Sequence, residues 1–248
     1  EIILCIGGSA TSEGGSGALT AMGAKFLDSN GKEILPSAET LQQISGIVTT
    51  SLPEAAFKAV FKIACDVKNP LLGPNGAARV YSPQKGASTE DVLVIEKGLE
   101  HYVSLLEKTC GKSVRDIPGS GAAGGFAISF LAFFNTGLLP GFKLVADLLK
   151  LEEQIKTADL VITGEGELSS QTMEGKVPWG VLQLAAKHNV PVVAFCGRRG
   201  EGVEQLEGFK DIICLLDSAA SVADSIARAA DLLEELSFNY AAKLQNKG

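Results

Sequence analysis

The chain has 248 residues, 46% of them hydrophobic and 21% charged, with a formal net charge of -7. That length buries a real core in one large domain or two small ones. An acidic chain with no Lys/Arg cluster excludes a nucleic-acid surface, which wants a basic stripe, and the acidity itself reads as solubility.

In chain order, residues 2–6 form an apolar run that predicts a strand. The glycine-rich stretch of residues 7–17 (GGSATSEGGSG) follows it and opens a helix over 15–27, with Leu19, Met22 and Phe26 on one face. DSNG at 28–31 is a turn, and AVFKIAC at 59–65 is a strand. Ser88 caps a long helix that runs to about Lys108, and GSGAAGG at 119–125 opens an apolar helix through Phe134. Residues 151–158 are expected to link two parts of the chain. The last part alternates β-rich runs (DLVIT at 159–163, VPVVAFC at 190–196, DIICLL at 211–216) with helices near 175–188, 201–206 and 221–244. Apolar strands alternating with helices predict a parallel α/β sheet. The loop at 163–166 and the turn at 197–200 then follow strand carboxyl ends, where open α/β sheets bind ligands.

Five cysteines, Cys5, Cys65, Cys110, Cys196 and Cys214, are odd in number and widely spaced, with no C-x-x-C. They read as reduced, buried thiols rather than a disulfide framework. The two histidines, His101 and His188, fall on expected helix surfaces, which argues against a His/Cys zinc site and a Ser-His-Asp triad. The most apolar stretch, 126–134, is shorter than the ~20 residues of a membrane span. The first residues carry no basic region of a signal peptide, so the cytoplasm is the expected compartment.

Several stretches carry candidate chemistry, each beside a plain structural reading. The 7–17 loop combines Gly7, Gly8 and Gly14 with the Ser9 and Thr11 hydroxyls and the Glu13 carboxylate. Free N–H groups at a helix start suit a phosphate or carboxylate, whereas the structural reading is a tight strand–helix turn. CDVKNP at 65–70 puts Asp66 at a strand's carboxyl end with Asn69 just after. A carboxylate there suits Mg²⁺ or a substrate hydroxyl, and the alternative is a capped turn. Lys85 in PQKG offers charge neutralisation or a solvated side chain. Gly119, Gly121 and Gly124 match G-x-G-x-x-G, but no strand precedes them as a dinucleotide site requires, so they read as close packing or an anion-facing helix start. Gly111-Lys112-Ser113 ends like a Walker loop, but Leu106 stands where the first glycine belongs. Glu165, between Gly164 and Gly166, is a loop carboxylate suited to a metal or to proton transfer. Lys176 sits at a helix start, where a cation is out of place unless an anion lies nearby.

Taken in order, GGSAT…GG, ACDV-x-NPL-x-G-x-NGA, PQKGA, GSGAAGG and ITGEG…SQT-x-x-GKVP-x-GV resemble the bacterial class I glycerate kinases over nearly the whole chain. The resemblance implies two α/β domains, one Rossmann-like and built from both chain ends, the other inserted between them. Residues 1–155 would be the inserted domain and 156–248 the later half of the Rossmann-like one. It also implies a region ahead of Glu1, with a D-S-F-K-like motif and the first strands, without which the parallel sheet keeps an exposed edge.

The implied activity is ATP-dependent phosphorylation of D-glycerate to 2-phosphoglycerate, with 3-phosphoglycerate the other product, and with ATP and Mg²⁺ as cofactors. Asp66, Glu165, Lys176 and Lys85 are the expected catalytic residues, Asp66 and Glu165 also being the metal-side carboxylates. Gly7, Gly8, Ser9, Thr11, Glu13, Gly14, Asn69, Gly119, Gly121, Gly124, Gly164, Gly166 and Gln171 are the expected substrate or phosphate contacts. The partner is a small molecule, with neither nucleic acid nor membrane, and the oligomeric state stays open. Two departures stand out: after GEG the family pattern reads Arg, an aliphatic residue and Asp, but here Glu167, Leu168 and Ser169. They motivate the alternative of a non-catalytic glycerate- or nucleotide-binding remnant. A nicotinamide-dependent acid dehydrogenase using GSGAAG is a third reading.

Overall fold

A computed structural model describes residues 1–245. The chain divides into two compact units, Glu1–Gly141 and Phe142–Gly248. The first is built on a parallel sheet. Its strands are β1 (Ile2–Cys5), β5 (Val60–Ala64) and β6 (Asn135–Leu139), in the order β1-β5-β6. Cys5 pairs with Ala64, and Ala64 in turn with Leu139, so the three carboxyl ends finish level. A small antiparallel sheet, β2 (Lys25–Leu27), β3 (Glu33–Ile34) and β4 (Gly46–Val48), has the order β3-β2-β4. The expected DSNG turn joins β2 to β3, with Asp28 Oδ1 accepting the N–H groups of Asn30 and Lys32.

The expected helix over 15–27 is shorter. It spans Ser16–Ala21, and Lys25–Leu27 is a strand. Ala24 N–H reaches back to Leu19 O and Gly23 N–H to Thr20 O, a pattern that closes a helix end and turns the chain. The helix at Thr89–Cys110 forms as expected, with a complete Ser88/Asp91 capping box and Gly111 in the left-handed region at its end. It buries Ile95, Leu99, Tyr102, Val103 and Leu106 on one stripe. The helix expected from GSGAAGG to Phe134 is broken. Ala123, Gly124 and Gly125 have φ of 52°, 69° and 82°, and regular helix is confined to Ala127–Phe133.

Two polar contacts tie this core to the loops. The Tyr102 hydroxyl meets Ser129 Oγ at 2.8 Å, and Ser129 donates to Gly14 O at 2.6 Å, all buried. Ser129→Ala leaves both buried groups without that partner. It is expected to cost about 1–3 kcal/mol of stability by chemical denaturation. At the far end of the long helix, burial alone would raise the Glu107 pKa. The Arg115 guanidinium and the N–H groups of Val114 and Arg115 overcome that and hold it at about 2. A carboxylate depressed in the folded state contributes stability that is whole above its unfolded pKa of ~4.3 and is lost as pH falls through the folded value. The wild type is therefore expected to lose stability between about pH 4 and 2, and Arg115→Met to flatten that stretch of the curve.

The second unit holds a parallel sheet, β7 (Val161–Leu168), β8 (Val192–Arg199) and β9 (Asp211–Cys214), in sequential order. The stretches expected as a loop at 163–166 and a turn at 197–200 are largely strand: Glu165 pairs with Cys196, and Glu167 with Arg198. Paired backbone groups there offset the low strand preference of glycine. Helix Val177–Ala186 packs its Val181, Leu182 and Ala185 over Val192 and Ile155. Residues 151–155 are a helix of this unit. Among the described residues, no helix is long and apolar enough to cross a membrane.

No disulfide joins the five cysteines. Cys196 and Cys214 are buried as expected, but Cys5 is exposed and Cys65 and Cys110 are half-buried. Burial and the neighbouring Cys214 push the Cys196 thiol up to about 12, which makes it inert. The histidines are hydrogen-bonded in place, His101 to Ile44 O and His188 to Glu152.

Candidate functional site

The level carboxyl ends of β1, β5 and β6 open onto a cavity of about 460 Å³ in the first unit. Such an edge is where parallel sheets present ligand sites, because the loops diverge there and backbone N–H groups are free. Gly7, Gly8 and Ser9 come from the loop after β1, Asp66 from the end of β5, and Lys85 from a short turn of helix at Pro83–Lys85. Five of the expected site residues thus line one cavity.

The loop after β1 is unusual in its hydrogen bonding. Gly14 N–H donates to Gly124 O, but the N–H groups of Gly7, Gly8 and Ser9 have no acceptor among the described residues. Lys85 Nζ crosses to this loop, bonding Ser9 Oγ at 3.2 Å and the Thr11 carbonyl. Burial lowers the Lys85 pKa, and the Glu13 carboxylate opposes the shift. Glu13 itself is turned to the helix start, accepting from Ser16 Oγ at 2.8 Å and Gly17 N–H at 3.1 Å. Its place in the loop is therefore that of a helix cap.

Asp66 is exposed, and its Oδ1 accepts from Gly141 N–H at 2.7 Å, so one carboxylate oxygen is oriented and the other remains available. A Cβ at position 141 would lie 2.9 Å from Asp66 Oδ2, so glycine is what lets the two segments approach. Asn69 is held on both sides, its Oδ1 accepting from the Tyr81 hydroxyl at 2.7 Å and its Nδ2 donating to Asn75 O at 2.9 Å. Asn69 thereby shapes the 66–76 loop.

The three glycines of G-x-G-x-x-G are buried. Gly121 N–H donates to Asn69 O at 3.1 Å, and a Cβ on Gly124, at φ 69°, would overlap the Thr11 carbonyl. This segment clamps the 7–17 loop to the 66–76 loop. Ala122 and Ala123 present its surface to the cavity, Ala123 in a left-handed conformation that is rare outside glycine. Motif reading missed Tyr81 and Gln84, which also line the cavity. Gln84 is part of PQKG, where Lys85 alone was singled out, and Tyr81 lies just ahead of it in no motif.

In the second unit, Glu165 lies in β7 between Gly164 and Gly166. Lys176 Nζ meets Glu165 Oε1 at 3.0 Å, and Thr172 Oγ1 donates to Oε2 at 3.3 Å. The cation that looked misplaced at a helix start has this carboxylate as its partner. Gln171 is exposed on the turn of helix that follows β7. The two departures also have local partners: Glu167 ion-pairs with Arg198 of the neighbouring strand, and Ser169 caps the turn that begins at Ser170.

The first unit's geometry defines an α/β protein with a cleft at the carboxyl edge of a parallel sheet, lined by Lys85, Asp66 and residues 7–9, whose backbone N–H groups have no acceptor among the described residues. The chain belongs to the glycerate kinase family, whose model matches residues 1–245. It is 40% identical to the glycerate 2-kinase of Escherichia coli K12 over 98% of this chain and 65% of that protein. To the glycerate kinase of Bacillus subtilis 168 it is 36% identical, over 99% of this chain and 65% of that protein. A crystal structure of a protein assigned as glycerate kinase 2 from Salmonella typhimurium LT2 superposes with a TM-score of 0.84 at 34% identity, covering 99% of this chain and 65% of that one. The chain thus spans about 65% of the length of these relatives.

Proposed function

We propose that this chain carries the substrate site of an ATP-dependent glycerate kinase that phosphorylates D-glycerate to 2-phosphoglycerate in the cytoplasm. The observation that carries the reading is that Gly7, Gly8 and Ser9, whose N–H groups have no acceptor among the described residues, line a cavity together with Lys85 and Asp66. A small hydroxy acid needs donors for its carboxylate and an acceptor for its hydroxyl proton, and the cavity has both. The N–H groups and Lys85 neutralise the carboxylate and the charge of the arriving phosphoryl group. Asp66 Oδ2 accepts the proton of the attacking hydroxyl, Oδ1 being fixed by Gly141. Glu165 and Lys176 form an ion pair of their own in the second unit, where they serve the nucleotide side of the reaction.

Among the described residues no group of three or more metal-binding side chains forms. Asp66, whose Oδ2 lies outside its bond to Gly141, fits Mg²⁺, which binds through one or two carboxylates plus substrate phosphates, whereas Glu165 would have to exchange its Lys176 and Thr172 partners for the ion. When bound, the ion supplies charge neutralisation on the transferring phosphate. Incubation with D-glycerate and Mg-ATP followed by ³¹P NMR is expected to show a 2-phosphate ester. A 3-phosphate ester would shift the regiochemistry, and no new ester from folded protein would favour a non-catalytic binding protein.

A further inference from the structure

The polar side chains that line the first unit's cavity differ in what they have left to offer a ligand. Ser9 Oγ accepts from Lys85 Nζ at 3.2 Å and keeps a proton to give. The Tyr81 hydroxyl donates to Asn69 Oδ1 at 2.7 Å and keeps only an acceptor. The Cys65 thiol is spent on Val67 O at 3.3 Å, and the Cys5 thiol is weak in both roles. An ammonium only donates and a carboxylate only accepts, which limits Lys85 and Asp66. Gln84 stands apart. It is exposed and lines the cavity, and neither its amide oxygen nor its NH₂ has a hydrogen-bond partner among the described residues. Its backbone is held: Lys85 N–H donates to Ser82 O at 2.9 Å and Gly86 N–H to Pro83 O at 3.0 Å. The turn is also tied to the 7–17 loop on both sides of Gln84. Buried Ser82 meets buried Ser12 at 3.1 Å between their Oγ atoms, and Lys85 reaches Ser9 and Thr11. A ligand that takes the amide therefore has only one side chain to order.

We propose, resting on the glycerate kinase reading above, that the Gln84 amide binds the second, non-reacting hydroxyl of the substrate and so selects a 2,3-dihydroxy acid over a monohydroxy acid. With the carboxylate on the 7–9 N–H groups and Lys85, and the reacting 2-hydroxyl on Asp66, the 3-hydroxyl is the substrate group that still needs a partner. A hydroxyl both donates and accepts, and a primary amide serves it in either sense, whereas Ser9 and Tyr81 serve it in one sense each. A monohydroxy acid in the same cavity strips water from the amide and returns nothing. That is how a site built to bond a hydroxyl rejects the analogue that lacks it.

Isothermal titration of three acids into the full chain and into Gln84→Met tests this: D-glycerate, D-lactate (no 3-hydroxyl) and 3-hydroxypropanoate (no 2-hydroxyl). The Gln84 side chain makes no hydrogen bond among the described residues, so the variant is expected to keep its Tm. The wild type is expected to bind D-glycerate roughly ten- to hundredfold more tightly than D-lactate. Gln84→Met is expected to weaken D-glycerate and 3-hydroxypropanoate by that factor and to leave D-lactate unchanged, so the preference disappears. Absence of D-glycerate binding or of the preference in the wild type, a preference kept by Gln84→Met, or equal weakening of all three acids overturns the assignment. Loss for D-lactate with none for 3-hydroxypropanoate overturns it too, since the amide would then read the 2-hydroxyl. Formation of a phosphate ester scores the kinase reading separately. Turnover with the preference intact in Gln84→Met sinks the role of Gln84 and leaves the kinase standing. A preference lost in Gln84→Met, in a protein that forms no ester, does the reverse.

Discussion

Lys85→Ala is expected to lower kcat/KM for D-glycerate roughly 10²–10³-fold, the scale seen when one preorganised charge-stabilising donor is removed. Lys85 acts twice. It lines the cavity, and its bonds to Ser9 and Thr11 hold the loop whose residues 7–9 line it as well. Steady-state kinetics should therefore show KM rising as kcat falls, with Lys85→Arg recovering only part of the loss because its fork does not fit the Ser9–Thr11 geometry. The pH profile gives a second readout. Burial lowers the Lys85 pKa, so deprotonation begins below the ordinary lysine value of ~10.4. The protonated form is the active one. The alkaline limb of kcat/KM is thus expected to fall earlier than for an unperturbed lysine, and to vanish as an inflection in Lys85→Met. An unchanged alkaline limb in Lys85→Met would assign the titration to another group.

Asp66→Asn is expected to cut kcat about 10²–10⁴-fold with little change in KM for glycerate. The amide oxygen keeps the bond from Gly141 N–H, so the loop stays in place, but it no longer takes a proton from the hydroxyl. Equal loss in KM and kcat would mean that Asp66 acts in binding. A kcat near the wild-type value would remove it from proton transfer.

Much of this fold is legible in particular residues. The Ser88/Asp91 pair and Gly111 mark both ends of the long helix, and the apolar runs at 60–64 and 192–196 mark central strands. The failures have physical causes. Leu19, Met22 and Phe26 keep helical spacing, but Phe26 buries itself in a sheet once the backbone bonds at Gly23 and Ala24 close the helix. GSGAAGG looks like a helix start because glycine and alanine leave the backbone conformation open, and tertiary contacts with Thr11 and Asn69 decide it. GEG and GRR look like loops because glycine and charge are rare in strands, whereas pairing across β7 and β8 holds them extended.

The candidate site divides in the same way. Gly7, Gly8 and Ser9 after a strand, and Lys85 further on, were visible as types that handle anions, and Asp66 at a strand end as a carboxylate for Mg²⁺ or a hydroxyl. Tyr81 was not, since it lies outside any motif, and Gln84 was not, since in PQKG the charge of Lys85 is the visible signal. Arg198 was invisible as the partner of Glu167, because only strand register brings residues 31 positions apart together (198 minus 167).

The most direct test is a titration of D-glycerate into ¹⁵N-labelled protein, following the backbone amides of Gly7, Gly8 and Ser9. Saturable shifts of these three resonances, absent with glycerol (which has no carboxylate), are the predicted result. Saturable binding that leaves all three unmoved, with the shifts gathered elsewhere in the chain, would contradict the assignment of this loop as the acid's receptor.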